Sequence, residues 1–201
     1  MSGFPVSEKG GNKPLDFVRK IRREQHVALF YEDGPYARKI EFGFIEAGLS
    51  QGERCFYLTH SDEEGRSIEG SMRENRVLRE GMAKGLLSTY RDSFVPESPS
   101  EAVSLFEERR GRMAQESKGP CRFVGATNPE VSSPEQVTML AEVDNAIQQF
   151  IAGSSITVLC SLAPDKVQKD LRSDWFLKMF LNHHSAIFAP KKSEGVAFDM
   201  R

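Results

Sequence analysis

The amino-acid sequence predicts an α/β fold in which a doubly wound, mostly parallel sheet is flanked by helices. From residue 26 onward, short apolar runs alternate with longer amphipathic segments, as expected when helices connect parallel strands. Several helical segments begin with capping patterns, and 201 residues suffice for one sizeable core. We therefore expect a disordered tail at residues 1–13 and a single domain at residues 14–201. The predicted strands are 26–30, 54–59, 86–90, 121–126, 156–161 and 186–189.

The first elements of the chain form a predicted βαβ unit. Turn-forming residues at 32–35 follow the apolar run 26–30, so the first strand ends there. An amphipathic helix comes next and ends near Gly48, a residue type that favours the C-terminal end of helices. The second strand, 54–59, is rich in aromatic and apolar residues. The apolar stripe of the helix consists of Tyr36, Ile40, Phe44 and Ala47.

Capping boxes mark the starts of later helices. Ser61, Ser98 and Ser133 each precede a Glu or Gln by three positions, the spacing that satisfies two backbone N–H groups at a helix start. Proline follows the second and third of these serines, at the favoured first helical position. The last long helix is predicted from about Asp165 to Asn182. It is more apolar than one buried face requires, so we expect part of it to pack on another subunit.

Composition excludes several classes of partner. The chain has 27 basic and 29 acidic residues and a formal charge of -2, which predicts no direct binding to nucleic acid or to an anionic membrane. No apolar run approaches the roughly 18 residues of a transmembrane helix, and the first residues lack the apolar core of a signal peptide. We therefore expect a cytoplasmic protein with no membrane contact.

The cysteines and histidines predict no metal site. Cys55, Cys121 and Cys160 each lie inside an apolar strand-like run, with no C-x-x-C pair, so reduced buried thiols are expected. His26 opens the first strand and is interpreted as structural. His183 closes the last helix, where capping is the simpler role.

Catalytic signatures are also absent from the sequence. A P-loop, G-x-x-x-x-G-K-[ST], would hold phosphates with backbone N–H groups and a lysine. Here the corresponding loop has one glycine, Gly34, beside the acids Glu32 and Asp33, and Lys39 lacks the flanking glycine and hydroxyl residue. No apolar strand ends in an acid that could hold magnesium. We therefore predict no catalytic residues, no cofactor and no enzymatic activity.

A ligand site is expected where the strands end. In open α/β sheets, ligands bind at the carboxyl ends of the strands. Aromatic, hydroxyl, imidazole and thiol side chains lie at these positions, together with Phe94, and they suit a small apolar or weakly polar molecule with one or two polar anchors. The predicted ligand-binding residues are Tyr31, Glu32, Asp33, Tyr57, Thr59, His60, Cys160 and Ser161.

Short motifs in a fixed order extend over residues 22–190. They are His26, Phe30-Tyr31, Phe44, Gly48-Leu49, Gly52-Glu53, Cys55-Phe56-Tyr57-Leu58, Val158-Leu159-Cys160 and the run 183–187. Their order and spacing resemble the MEDS domain, the methanogen/methylotroph sensory domain, a relative of KaiC- and RecA-type ATPases. The resemblance implies a RecA/KaiC-like fold with a degenerate P-loop. It also implies that Glu53 is structural, like the Gly-Glu pair of KaiC-like proteins.

The same resemblance implies a stand-alone sensory domain that acts in signal transduction. Family members are thought to sense hydrocarbon derivatives and to regulate transcription or two-component signalling. We expect a small molecule to bind at the emptied nucleotide site, and a signalling partner protein to carry the output. Two alternatives stay open. One is a degenerate KaiC-like protein that still binds ATP through Lys39 or Arg38, and the other is a non-catalytic interaction protein that forms homo-oligomers through its last helix.

Overall fold

The computed structural model describes residues 13–59, 62–91, 98, 100–101, 104, 108, 119–126, 128–191 and 194–200. The predicted tail, 1–13, lies outside this part of the chain except for Lys13. The elements are α1 (Pro14–Val18), β1 (His26–Tyr31), α2 (Gly34–Ser50), β2 (Arg54–Thr59), α3 (Asp62–Glu74), α4 (Arg76–Ala83), β3 (Leu87–Arg91), β4 (Cys121–Ala126), α5 (Pro134–Ile151), β5 (Ile156–Leu162), α6 (Arg172–Leu181), β6 (Ser185–Lys191) and β7 (Glu194–Asp199).

The strands of the described chain form one sheet in the order β3-β2-β4-β5-β1-β6-β7. Neighbouring strands are parallel except for β6 and β7, which are antiparallel. The predicted fold class and all of the predicted strands are confirmed. β7 was not predicted from the sequence, because it pairs antiparallel with β6 and no amphipathic helix separates the two strands.

Helices cover both faces of the sheet. Successive side chains of a strand point to opposite faces, and β1 shows the consequence. Val27 and Leu29 belong to the core beneath α1 to α4, whereas Ala28 and Phe30 belong to the core beneath α5 and α6. Side chains that are adjacent along a strand therefore lie in different cores, on opposite faces of the sheet. Only polar residues on the same face can contact one another.

Two of the predicted helix starts lie in the described chain. Ser133 forms a full capping box with Gln136 at the start of α5. The Ser98 hydroxyl accepts a hydrogen bond of 3.2 Å from the backbone N–H of Glu101. The third predicted cap, Ser61, falls outside the described residues.

The predicted last helix from Asp165 was wrong in its start. Residues 164–166 form a short 3-10 turn, and Val167 then pairs with Val131 as an isolated parallel bridge. Because the backbone at Val167 is extended and bonded to another segment, α6 begins only at Arg172. None of the helices described is long and apolar enough to cross a membrane.

A buried ion pair holds α2 against β2 and β4. Glu53 and Arg122 are each 1% exposed, and Arg122 Nε lies 2.6 Å from Glu53 Oε2. The guanidinium also donates to the Phe44 and Ile21 carbonyls, at 3.2 and 3.4 Å. Gly48 leaves room for it, since a Cβ there would lie 2.7 Å from Arg122 Cδ. These contacts agree with the structural role expected for Glu53.

Candidate functional site

The loop between β1 and α2 lies at the carboxyl edge of the sheet. β1 ends at Tyr31 and α2 begins at Gly34, so Glu32 and Asp33 alone connect them. Asp33 Oδ1 accepts a hydrogen bond of 2.9 Å from the backbone N–H of Tyr36, as an N-cap residue does. A Cβ on Gly34 would meet nothing within 4 Å. The helix end that could bind an anion is thus already capped by a carboxylate.

A buried carboxylate lies on the inner face of α2. Glu41 is 3% exposed, and its two oxygens accept hydrogen bonds from strands on this face of the sheet. The Tyr57 hydroxyl of β2 donates to Oε2, and Ser161 Oγ of β5 donates to Oε1 at 2.6 Å. Together with Arg38, these residues form what we call the α2 polar cluster. Glu41 therefore ties α2 to two neighbouring parts of the sheet.

Arg38 is the cationic member of the α2 polar cluster. Its Nε lies 3.5 Å from Glu41 Oε2, and its guanidinium carbon lies 5.7 Å from the centroid of the Tyr57 ring. The side chain is 30% exposed, so it connects the buried carboxylate to the surface. Its Nη1 is buried and has no hydrogen-bond partner among the described residues. A strong donor is therefore available at the border between the core and solvent.

Tyr31 adds a neutral phenol beside the α2 polar cluster. Burial, followed by the charge of Glu41, raises the pKa of Tyr31 to about 12. Its hydroxyl accepts a hydrogen bond of 3.2 Å from Asn128 Nδ2. Asn128 in turn accepts from the backbone N–H of Ala163 at 2.9 Å, just after β5. The end of β1 is thereby linked to the segments that follow β4 and β5.

The structure brings some of the predicted site residues together and separates others. Tyr31, Tyr57 and Ser161 lie around α2, as described above. Thr59 is buried on the same face, and a Cβ on Gly65 would lie 3.2 Å from its hydroxyl. Glu32 is exposed and Asp33 caps α2. His60 and Phe94 fall outside the described residues.

Cys160 does not join the α2 polar cluster. It is adjacent to Ser161 in β5, so the two side chains point to opposite faces of the sheet. Its Sγ lies 3.1 Å from His26 Nε2, on the face covered by α5 and α6. Cys160 was predicted to share one site with Ser161 and Tyr31. That prediction was wrong, because Cys160 contacts His26 on the other face of the sheet.

Four ionisable side chains meet on this second face. One donor atom from each of His26, Asp144, Cys160 and His183 lies within 4.8 Å of the other three. We call this group the His–Cys–Asp cluster. The His26 and His183 rings are in contact, with centroids 3.8 Å apart and the ring planes tilted by 30°. Asp144 Oδ1 lies 3.9 Å from His26 Nε2, and its Oδ2 lies 3.7 Å from His183 Nδ1.

Burial favours the uncharged form of the cluster residues. Burial, and then the neighbouring His183, hold the pKa of His26 well below its usual value. Burial also raises the pKa of Asp144 to about 8 and that of the Cys160 thiol well above its ordinary range. A buried charge without a compensating partner is costly, so each group shifts toward neutrality.

Glu41 was not predicted as a site residue, and Arg38 was predicted only as a possible nucleotide contact. A signal for Glu41 was present, since it follows Ile40 and precedes Phe44 by three positions on the inward side of α2. An acid on an apolar stripe requires a polar partner from elsewhere in the fold. Asp144 and Val137 show the same pattern in α5, where both are buried.

The mostly parallel sheet with helices on both faces is a RecA/KaiC-like fold. A KaiC-like protein from the hyperthermophilic archaeon Pyrococcus horikoshii superposes with a TM-score of 0.61 at 15% identity, covering 89% of this chain and 80% of its own. The flagellar accessory protein FlaH from Methanocaldococcus jannaschii gives 0.55 at 11% identity, covering 94% and 84%. These likenesses show the fold.

The family follows from the sequence itself. Residues 25–174 match the family described as MEDS, the MEthanogen/methylotroph, DcmR Sensory domain. The chain belongs to this family, and the resemblance noted from its motifs is confirmed. No curated protein matches the sequence.

Proposed function

We propose that this chain is a non-catalytic sensory domain that binds a small molecule beside the α2 polar cluster and signals through a partner protein. Membership of a family of sensory domains supports the sensory role. The proposed position of the ligand site rests on Arg38. Its buried Nη1 donor has no hydrogen-bond partner in the described part of the chain. A ligand with a hydrogen-bond acceptor would satisfy this donor.

The surroundings of Arg38 suggest the chemistry of the ligand. The Tyr57 ring lies beneath the guanidinium, and Tyr31 contributes a partly buried aromatic side chain nearby. The Arg38 charge is already balanced in part by Glu41. A small, largely apolar molecule with one acceptor group therefore fits better than a multiply charged anion.

Nucleotide binding by this loop is disfavoured for an electrostatic reason. Phosphates would approach the N-terminus of α2, where the Asp33 carboxylate already accepts the N–H of Tyr36. Lys39 is exposed on α2, and Gly34 is the one glycine of the loop. We infer that the P-loop is degenerate and that the domain hydrolyses no nucleotide.

Ligand binding can be coupled to the sheet through α2. Arg38 and Glu41 share one turn of this helix, and Glu41 accepts hydrogen bonds from Tyr57 of β2 and Ser161 of β5. A ligand that draws Arg38 away from Glu41 would change how α2 is held on the sheet. Such a ligand shifts the equilibrium between two positions of the helix by its difference in affinity for them.

The surface of α6 supports a role in contacting the partner. Leu177 and Leu181 are 54% and 61% exposed and lie one helical turn apart. Such a pair suits an apolar contact with another protein or with a second copy of this chain.

A thermal-shift screen tests the proposed function. Small alcohols, halocarbons, aromatics and methylated compounds are compared with ATP and GTP plus magnesium. A ligand at about a hundredfold excess over Kd stabilises the native state by about 2.7 kcal/mol. For a domain of this size, that free energy corresponds to a rise in Tm of about 5–11 °C.

Two adjacent substitutions provide the matched comparison. Arg38→Met removes the donor and should weaken binding by about tenfold to 150-fold, the equivalent of a charged hydrogen bond of about 1.5–3 kcal/mol. Lys39→Met removes a neighbouring exposed charge and should leave the shift unchanged. Each shift is measured from the variant's own Tm. A shift with nucleotides alone that Lys39→Met abolishes would contradict the proposal and support the nucleotide alternative.

A further inference from the structure

The His–Cys–Asp cluster lies on the face of the sheet opposite to the α2 polar cluster and has no part in the proposed function. Its members come from separate elements. His26 begins β1, Asp144 lies in α5, Cys160 lies in β5 and His183 follows α6. We propose that this cluster is a structural site for a divalent transition-metal ion, with zinc as the ion that fits best.

The donor set and its dimensions suit tetrahedral zinc. Two imidazoles, one thiolate and one carboxylate are all established zinc ligands, with bonds of about 2.0–2.3 Å. Bonds of that length place tetrahedral donor atoms about 3.3–3.8 Å apart. The corresponding distances from His26 Nε2 are 3.1 Å to Cys160 Sγ and 3.9 Å to Asp144 Oδ1. All four donor atoms lie within 4.8 Å of one another, so side-chain movements of about 1 Å would bring them to tetrahedral spacing.

Backbone carbonyls fix which ring nitrogen carries the proton in both histidines. His26 Nδ1 lies 3.2 Å from the Asn182 carbonyl oxygen, and His183 Nδ1 lies 2.5 Å from that of Met179. A carbonyl oxygen only accepts, so each Nδ1 carries the proton and each Nε2 carries the lone pair. Metal-binding histidines nearly always donate their second ring N–H in this way.

Asp144 provides a second, independent indication of a cation. Its side chain is 9% exposed, and Oδ2 has no hydrogen-bond partner among the described residues. A buried carboxylate in this state is costly unless a positive charge compensates it. One divalent cation would balance the carboxylate and the Cys160 thiolate together, and binding would release the proton of each group to solvent.

A catalytic Cys–His–Asp triad explains the geometry less well. In a triad, the acid contacts the ring nitrogen that faces away from the nucleophile. Here Asp144 and Cys160 both lie nearest to Nε2 of His26, while Nδ1 faces Asn182. Four donor atoms gathered around one point, as here, are the arrangement of a metal site. With four protein ligands the site is closed, as structural zinc sites are.

Metal content and cobalt spectroscopy test this inference on the full-length protein. The purified chain should contain one equivalent of zinc by mass spectrometry. After removal of zinc with a chelator, added Co²⁺ should produce visible d–d bands of a tetrahedral complex and a sulfur-to-cobalt charge-transfer band. Added Zn²⁺ should also raise the Tm of the metal-free protein.

Matched cysteine variants locate the site. Cys160→Ser should abolish the charge-transfer band. It should weaken zinc binding by more than the roughly 10–100-fold typical when a residue that hydrogen-bonds to a metal ligand is changed. Cys55→Ser removes a buried thiol on the opposite face and should leave the spectrum unchanged. Far-UV circular dichroism reports whether each variant folds, and Asp144→Asn gives a second ligand change if Cys160→Ser does not fold. A folded wild-type protein that takes up neither metal would overturn the inference, and so would an unchanged cobalt spectrum in folded Cys160→Ser.

Discussion

Replacing Glu53 by glutamine should cost this protein a large part of its stability. The carboxylate lies 2.6 Å from Arg122 Nε, and both side chains are 1% exposed. Glu53→Gln keeps the shape and leaves a guanidinium buried without its counter-charge. Removing one partner of a buried pair typically costs about 3–5 kcal/mol. In a domain of this size, that loss lowers Tm by about 6–20 °C.

Arg23→Met is the control for this prediction. Arg23 contacts the same carboxylate, with its Nε 3.1 Å from Glu53 Oε1, but its side chain is 52% exposed. Solvent-exposed ion pairs contribute about 0.2–1 kcal/mol to the free energy of unfolding, so Arg23→Met should have a small effect. The double variant Glu53→Met with Arg122→Met should recover most of the loss, because apolar replacement of a whole buried pair is often neutral.

Urea denaturation followed by circular dichroism measures the free energy of unfolding of each variant. The loss for Glu53→Gln should be severalfold larger than the loss for Arg23→Met. If Glu53→Gln lowers the free energy of unfolding by less than about 1 kcal/mol, the buried ion pair does not have the predicted importance. Such a result would mean that Arg122 is solvated without Glu53.

Two further stability predictions concern contacts of α2 with the sheet, one at Gly48 and one at Glu41. Gly48→Ala should lower the free energy of unfolding by up to about 2 kcal/mol, because overpacking against Arg122 costs about 1–3 kcal/mol and the higher helix propensity of alanine returns about 1 kcal/mol. The control is Gly70→Ala, which has nothing within 4 Å of its Cβ and should stabilise the protein by about 0.5–1 kcal/mol. Equal effects of the two substitutions in calorimetry would contradict the packing at Gly48. Tyr57→Phe should cost about 1.5–3 kcal/mol in urea denaturation by removing a hydrogen bond to Glu41, and a loss under about 0.5 kcal/mol would argue against it.

Periodicity allowed most of the architecture to be predicted from the sequence. The stripe of the first helix is buried as expected, since Tyr36, Ile40, Phe44 and Ala47 all lie in the core. Amphipathic helices and apolar strands follow from local patterns because burial imposes a repeat on them. The start of α6 could not be predicted in the same way, because it depends on the pairing of Val167 with the distant Val131.

The site was harder to predict because its contacts are long-range. The Ser161 hydroxyl meets Glu41 across 120 positions of sequence, and Cys160 meets His26 across 134. Locating residues at strand ends gave the correct edge of the sheet for Ser161 and Tyr31. Successive side chains of a strand point to opposite faces of the sheet, and this alternation separates Cys160 from Ser161.

The His–Cys–Asp cluster shows a further limit. Short zinc motifs are visible in a sequence because paired ligands share one loop or helix. Here His26, Asp144, Cys160 and His183 come from separate elements, so no spacing connects them. Three-dimensional structure alone brings these side chains together.

Hydrogen–deuterium exchange tests whether a non-nucleotide ligand binds beside the α2 polar cluster. The protein is compared with and without the compound that gives the largest thermal shift. With the ligand bound, we expect slower exchange in the first turns of α2, around Arg38 and Glu41, and at the carboxyl end of β5 near Ser161. Protection confined to the face covered by α5 and α6, or protection of α2 by ATP with magnesium and by no small molecule, would contradict it.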